Sequence, residues 1–368
     1  MNQIEMNLVD NGFQEILHGD CLQVMKCYDD NHFSSIVTDP PYGLKFMGKS
    51  WDHGVPGVEF WQEMLRIAKP GAFLLAFGGS RTYHRLICAI EDAGWEIRDC
   101  IMWIYGSGFP KSHNHFGIEG YGTALKPAYE PIIMAMKPCD GTFKQNAERW
   151  GQAGINIDGC RIPSSESWER DCTNQNMIVH ALCDRKGVFK QSNNLGRWPA
   201  NIILDEEAGA LLDEKSGNLK SGHVKPLAKI KSNKIFGNYN QANINEFAPS
   251  VGGASRFFYC PKASTRERNE GLEGLPLQQA GIKNNSGRGF SESDPHKEIQ
   301  YKNNHPTVKP LKLMEYLIKL VMPPKDGILL DPFAGSGSTI LAAKNLGFSA
   351  VGIEKDEDYC KIARARIL

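Results

Sequence analysis

Two segments of this 368-residue chain carry residue types in an order that can do chemistry. The first, DPFAGSGST at 331–339, sets small turn residues between an apolar run and a helical one, which leaves backbone N–H groups at the helix start open to a ligand. It lacks the Gly-Lys-Ser/Thr ending of a phosphate loop and is not GxGxxG, which argues against ATP and against a dinucleotide. Glu354 ends the next apolar run, a place from which a carboxylate can accept both hydroxyls of a ribose. These features fit a nucleoside-containing cofactor without a pyrophosphate. The second segment is Asp39-Pro40-Pro41-Tyr42. Its prolines stiffen the backbone, Asp39 and the Pro40 carbonyl accept hydrogen bonds, and the Tyr42 ring offers a face to a flat base. Such a pair of acceptors suits a planar amino group that must be held and polarised. A ligand-free structural turn is the plainer alternative for either segment.

Both segments need strands to present them, and the sequence supplies a series of them. SSIVTDPPY (34–42) reads as a strand ending at Asp39, and residues 58–68 read as a helix ended by Pro70-Gly71. A strand at 72–78, a helix at 80–93, a strand at 96–105 and an apolar run at 130–137 continue a βαβ pattern. At the other end, 310–323 is an amphipathic helix, GILLDP a short buried strand, SGSTILAAKNLG a glycine-bounded helix, and 348–368 a further strand and helix. The expected fold is therefore α/β, a Rossmann-like and mostly parallel doubly wound sheet. The strands before the two motifs would open their C-terminal ends on one crevice. Between 140 and about 304 the texture changes to short motifs among Gly, Ser, Asn and Pro clusters with no long clean helix, as an inserted lobe would show. There Lys215, Lys220, Lys225, Lys229, Lys231 and Lys234 make a locally basic segment.

Composition narrows the class without naming it. Apolar residues at 41% and charged ones at 23% exclude a chain disordered throughout, while 42 basic against 42 acidic residues advertise no polyanion partner beyond local patches. The ten cysteines form no CxxC pair, which suits a reducing compartment, and the Cys160, Cys172, His180 and Cys183 region matches no common zinc spacing, so no metal is expected. With no signal-like N-terminus and no long apolar run, the chain reads as soluble, cytoplasmic and without a membrane partner.

Asp39 to Tyr42 taken with DPFAGSGST resembles the DNA amino-methyltransferases that use S-adenosylmethionine. The catalytic motif comes first and the cofactor loop last, which is similar to the circularly permuted, beta-type arrangement found in phage, prophage and restriction-modification enzymes. The resemblance covers about 15–137 and 301–368. It implies a class I methyltransferase fold split into a catalytic half at 1–139, an inserted target-recognition region at 140–300 and a cofactor-binding half at 301–368. Carried over residue by residue, Asp39, Pro40 and Tyr42 form the catalytic set, with Pro41 shaping the loop. Asp331, Phe333, Ala334, Gly335, Gly337, Glu354 and Lys355 would bind the cofactor, Glu354 through its ribose. Asp20, with Cys21 as a backbone donor, would meet its adenine. His305, Thr307 and Lys309, within NHPTVKP, would close over its methionine end.

The implied reaction is direct methyl transfer to the N6 amino group of adenine in double-stranded DNA. The target base is flipped out to Tyr42, and no cysteine nucleophile takes part, so Cys21 and Cys27 are expected to be packing residues. Cytosine N4 is the nearest alternative, followed by an RNA methyltransferase and an idle DNA-binding relative. A protein-glutamine methyltransferase is disfavoured, since that resemblance calls for Asn where this chain has Asp39. The inserted lobe would read the DNA, with Arg256, Lys262, Arg266 and Arg268 on phosphates and the Asn-rich stretch 233–245 on base edges. A homodimer and a cognate restriction endonuclease remain open as partners.

Overall fold

The computed structural model describes residues 12–44, 54–106, 108, 112, 117–163, 196–220, 251–261, 303, 308–324 and 327–368, with short strands at 170–171, 188–189, 278–279 and 300–301. An eight-stranded sheet takes the order β1-β14-β13-β2-β3-β5-β4-β8. Its members are β1 (Gln14–His18), β2 (Phe33–Thr38), β3 (Ala68–Phe77), β4 (Glu96–Ile104), β5 (Tyr129–Met136), β8 (Ile202–Leu204), β13 (Ile328–Asp331) and β14 (Ser349–Glu354). Three two-stranded ribbons lie outside it: β6 (Arg170–Asp171) with β7 (Val188–Phe189), β9 (Leu219–Lys220) with β10 (Val251–Gly252), and β11 (Gln278–Gln279) with β12 (Gln300–Tyr301).

The sheet is mostly parallel, as its apolar, doubly buried strands require, but β5 runs antiparallel to both β3 and β4. That departs from a plain βαβ series and has a chemical consequence: the start of β5 lies at the same edge as the ends of the parallel strands. The helix at 58–68 forms as α2 (Val58–Ile67), yet β3 starts at once at Ala68 rather than after Pro70-Gly71. The turn residues sit inside a register shift between β2 and β3. Asn146 holds the kink by donating to the Pro70 carbonyl at 2.9 Å, and Gly71 takes the left-handed φ of 76°.

Helices cover both faces. On one lie α1 (Cys21–Met25), α2 and α3 (Tyr83–Asp92), which bury Trp61, Met64, Leu86 and Ile90 against Leu74, Ala76 and Ile133. On the other, α6 (Leu311–Val321), α7 (Ser338–Asn345) and α8 (Glu357–Ile367) pack Leu313, Leu317, Ile340 and Ala363 over Val37, Leu75 and Met134. The stretch after residue 140 is not set apart throughout. Helix α4 (Phe143–Trp150) docks on β3, Cys160 joins the core under α6, and β8 extends the main sheet beside β4, followed by the eleven-residue α5 (Glu206–Ser216). A long helix therefore does occur in the region where the sequence shows none.

Candidate active site

The strand order reverses between β13 and β2, because β13 leads outward to β14 on one side and β2 to β3 on the other. In an open α/β sheet the crevice beyond the strand ends at such a point is where ligands bind. The two sequence motifs end these two strands. Thr38, last in β2, donates to Asp331 Oδ1 at 2.7 Å, and the Phe333 N–H donates to the same oxygen at 3.1 Å. Asp331 is buried, and burial outweighs these hydrogen bonds, pushing its carboxyl up to about 6.

On the β2 side, Asp39 uses both oxygens. Oδ1 accepts from the Tyr42 hydroxyl at 2.8 Å, and Oδ2 accepts from Lys309 Nζ at 2.6 Å. The Tyr42 hydroxyl also lies 3.0 Å from Glu130 Oε2, and Lys309 Nζ lies 3.3 Å from that oxygen. Asp39 and Lys309 are brought together across a separation of 270 residues. Glu130 is the second residue of β5, and only the antiparallel direction of that strand delivers its carboxylate here. Lys309 is nearly enclosed, its ammonium 4.8 Å from the Phe77 ring centroid and 5.6 Å from that of Tyr42. Burial disfavours the Lys309 ammonium, but Asp39 and Glu130 more than offset this and raise its pKa. Burial and the same two carboxylates drive the Tyr42 phenol well above its ordinary value. The sequence places Lys309 with the cofactor's methionine end; the structure sets its ammonium against Asp39 and Glu130.

On the β13 side, Gly335 and Gly337 take left-handed φ values of 52° and 78°, turning the chain into α7. A Cβ on Gly337 would meet the Ala363 Cβ at 2.9 Å, so this glycine also lets α7 lie close on α8. Glu354, at the end of β14, accepts the Gly335 N–H at 2.9 Å on Oε2 and the Asp356 N–H at 2.7 Å on Oε1. Burial raises its carboxyl, partly countered by these backbone donors. With the Gly335 amide already engaged and no Lys or Arg in residues 331–339, the turn is not built as a phosphate nest.

Asp20 caps α1 by accepting the Leu22 N–H at 3.2 Å, and its other oxygen lies 3.4 Å from Lys355 Nζ in an exposed pair. Since β1 pairs with β14 so that His18 faces Glu354, Asp20, two residues past the end of β1, lies beside the end of β14. Phe333 lies 6.2 Å from Phe60, ring to ring, and Ala334 is buried. Two carboxylates, an aromatic ring and a glycine turn form a donor set that fits a ribose-bearing cationic ligand.

Other expectations divide. The buried Cys21 thiol is pushed up to about 12 by burial and by Asp20, which makes it a poor nucleophile, whereas Cys27 is exposed and is not a packing residue. The Arg256 guanidinium bonds to backbone carbonyls, among them Gly253 at 2.6 Å and Leu219 at 3.1 Å, so it holds its own loop. His305, Thr307, Lys225, Lys229, Lys231, Lys234, Lys262, Arg266, Arg268, the 233–245 stretch, Cys172, His180 and Cys183 lie outside the described residues. Among the described residues no group of three His, Cys, Asp or Glu side chains is placed to hold a metal, and no helix is long and apolar enough to cross a membrane. Sequence reasoning missed Glu130. Its one signal was an acid opening an otherwise apolar run.

Residues 33–365 match the N6/N4 methyltransferase family, described as DNA methylase. The chain belongs to that family. It is 39% identical over 71 residues to the type II methyltransferase M2.LlaDCHI of Lactococcus lactis subsp. cremoris, covering 19% of this chain and 26% of that protein. With M.ScaI of Streptomyces caespitosus it shares 48% identity over 63 residues, or 17% of this chain and 20% of the relative. The chain thus spans about a quarter or less of the length of these curated relatives. In overall fold it is similar to the PvuII cytosine-N4-specific DNA methyltransferase, at a TM-score of 0.50 and 14% identity over 97% of this chain and 87% of that one. The fold is the Rossmann-like α/β class of these methyltransferases.

Proposed function

We propose that the protein is a DNA methyltransferase that transfers the methyl group of S-adenosylmethionine to the N6 amino group of adenine in duplex DNA. The observation that carries this reading is the Asp39 carboxylate, set with Tyr42 at the switch-point crevice and tied through Thr38 to the strand of the glycine turn. S-adenosylmethionine supplies an activated methyl group when bound. Glu354 would hold its ribose, with Asp20, Phe333, Ala334 and the Gly335–Gly337 turn around it.

This chain's residues prepare the acceptor. An exocyclic amino nitrogen has its lone pair drawn into the ring, and hydrogen bonds to Asp39 and the Pro40 carbonyl free that pair as the nitrogen pyramidalises. The nitrogen carries a positive charge after it takes the methyl, until one of its protons leaves. Two carboxylates against one ammonium stabilise that charge, and Asp39 is placed to accept the proton and pass it to water. A base stacked in a duplex cannot reach this crevice, so it must be flipped out, with Tyr42 as its platform.

Adenine is favoured over cytosine by the Asp in the first motif position, while the family covers both amino groups. Residues 140–300, apart from α4, Cys160 and β8, which join the main sheet and its core, are assigned to target recognition, 1–139 and 301–368 to the two halves of a permuted catalytic domain, and a bacterial or phage-infected cytoplasm to the site of action. The test is incubation with unmethylated duplex DNA and methyl-labelled S-adenosylmethionine, then digestion to nucleosides. Labelled N6-methyladenine, absent with Asp39→Ala, is the expected result. Label in N4-methylcytosine would move the assignment to the other base. Unlabelled DNA beside labelled RNA would overturn the DNA reading.

A further inference from the structure

We infer that Glu130 and Lys309 form a charge-setting pair, which orients Asp39 and Tyr42 and fixes the site at one net negative charge during methyl transfer. The inference rests on the proposed methyltransferase reading and deepens it. Both are positioning residues, acting through Asp39 and Tyr42.

A phenol has one proton to give, and the Tyr42 oxygen lies within hydrogen-bond reach of two carboxylates, Asp39 at 2.8 Å and Glu130 at 3.0 Å. Packed with nothing between them, two carboxylates would repel. Lys309 removes that outcome: its ammonium contacts Asp39 at 2.6 Å, Glu130 at 3.3 Å and the Tyr42 oxygen at 3.3 Å. Its side chain is only 9% exposed, against 19% for Asp39 and 23% for Glu130, so water screens these charges weakly. Among the described residues, the other titratable groups facing the cluster are Tyr105, just beyond β4, and the buried Asp331 at the end of β13.

Asp39 with Lys309 alone would be neutral and would offer a cationic nitrogen little net attraction. Glu130 restores a single negative charge and gives the Tyr42 hydroxyl a second anchor. Lys309 offsets the repulsion between the two carboxylates and holds them side by side. These are opposite electrostatic roles, so removing one residue should not mimic removing the other.

The test measures kcat against pH for methyl incorporation into duplex DNA by the full chain, in wild type, Glu130→Gln, Lys309→Met and the double variant. Glu130→Gln should lower the plateau kcat by about 10- to 100-fold. The two single variants change the net charge of the site in opposite senses, so the acidic limbs of their profiles should move in opposite directions, down in Glu130→Gln and up in Lys309→Met. The double variant regains one net negative charge and should be faster at its plateau than Glu130→Gln alone, which losses from packing would not give. A second readout needs no turnover: reductive methylation of Lys309, followed by mass spectrometry, should proceed at lower pH in Glu130→Gln because the ammonium has lost one of its two carboxylates. Unmoved limbs, additive losses and unchanged labelling would overturn the inference while leaving the methyltransferase reading intact. A wild type that transfers no methyl, with Lys309 labelling shifted as expected, would sink the reading and the catalytic role together but leave the charge pairing standing.

Discussion

Thr38 and Asp331, 293 residues apart in the chain, are joined by a buried hydrogen bond of 2.7 Å that closes the switch point of the sheet. It links the strand before the catalytic motif to the strand before the cofactor turn, so the two halves of the site share one anchor. Thr38→Val keeps the shape and removes the donor, leaving a buried carboxyl short of a partner at a cost of about 1–3 kcal/mol. Thr38→Ser, which keeps the hydroxyl, should stay close to wild type. Urea unfolding of the two variants measures this, and a valine variant as stable as the serine one would show the bond to be dispensable.

The two motifs that make up this anchor were legible in sequence because each is local: a strand, then a turn of distinctive residues. The α/β class was legible for the same reason, through apolar runs alternating with amphipathic ones. What the sequence withheld is relational. Glu130 joins the site only because β5 runs against its neighbours, and periodicity carries no strand direction. Lys309 sits in a segment resembling a cofactor contact, but two residues before α6 its ammonium meets Asp39. The strand at Ala68–Pro70 was hidden because a Pro-Gly pair reads as an end, whereas a bulge held by Asn146 accommodates it.

Asp331 also makes stability depend on pH. Its carboxyl is raised from 3.8 to about 6 in the fold, so between these values the native state binds more protons than the unfolded chain. By linkage, stability from this group is greatest at low pH and declines as pH rises through that window, by about 3 kcal/mol as an upper figure. Asp331→Asn has no proton to lose and can still accept from Thr38 and Phe333. Its stability relative to wild type should therefore grow between pH 4 and 6 and level off above, as followed by denaturant unfolding at a series of pH values. A constant difference across that range would show that Asp331 carries no ionisation cost.

Gly337 carries two demands at once, a left-handed φ of 78° and close contact with Ala363. Gly337→Ala should destabilise the protein by about 1–3 kcal/mol through backbone strain, and more if α8 cannot shift away. Because the turn and α7 move together, affinity for S-adenosylmethionine should fall as well. Calorimetric titration alongside thermal unfolding separates the effects. Full cofactor affinity in a destabilised variant would place the turn outside the cofactor site.

Tyr42 combines a ring and a hydroxyl with separable tasks. The hydroxyl is turned inward onto Asp39 and Glu130, while part of the side chain still reaches solvent at the crevice. Tyr42→Phe keeps the stacking surface but takes away the hydroxyl that Asp39 and Glu130 share, so kcat should fall by about 10-fold with KM for DNA little changed. Tyr42→Ala removes the ring too, and the flipped base then loses a stacking contact of about 1–3 kcal/mol, which should appear as a raised KM. Since burial and two carboxylates hold the phenol well above its ordinary pKa, it stays protonated across the assay range. The alkaline side of the pH profile should therefore be the same in wild type and Tyr42→Phe. Loss of an alkaline limb in the phenylalanine variant would instead mean that Tyr42 ionises during turnover, and that its hydroxyl moves a proton rather than holding Asp39 in place.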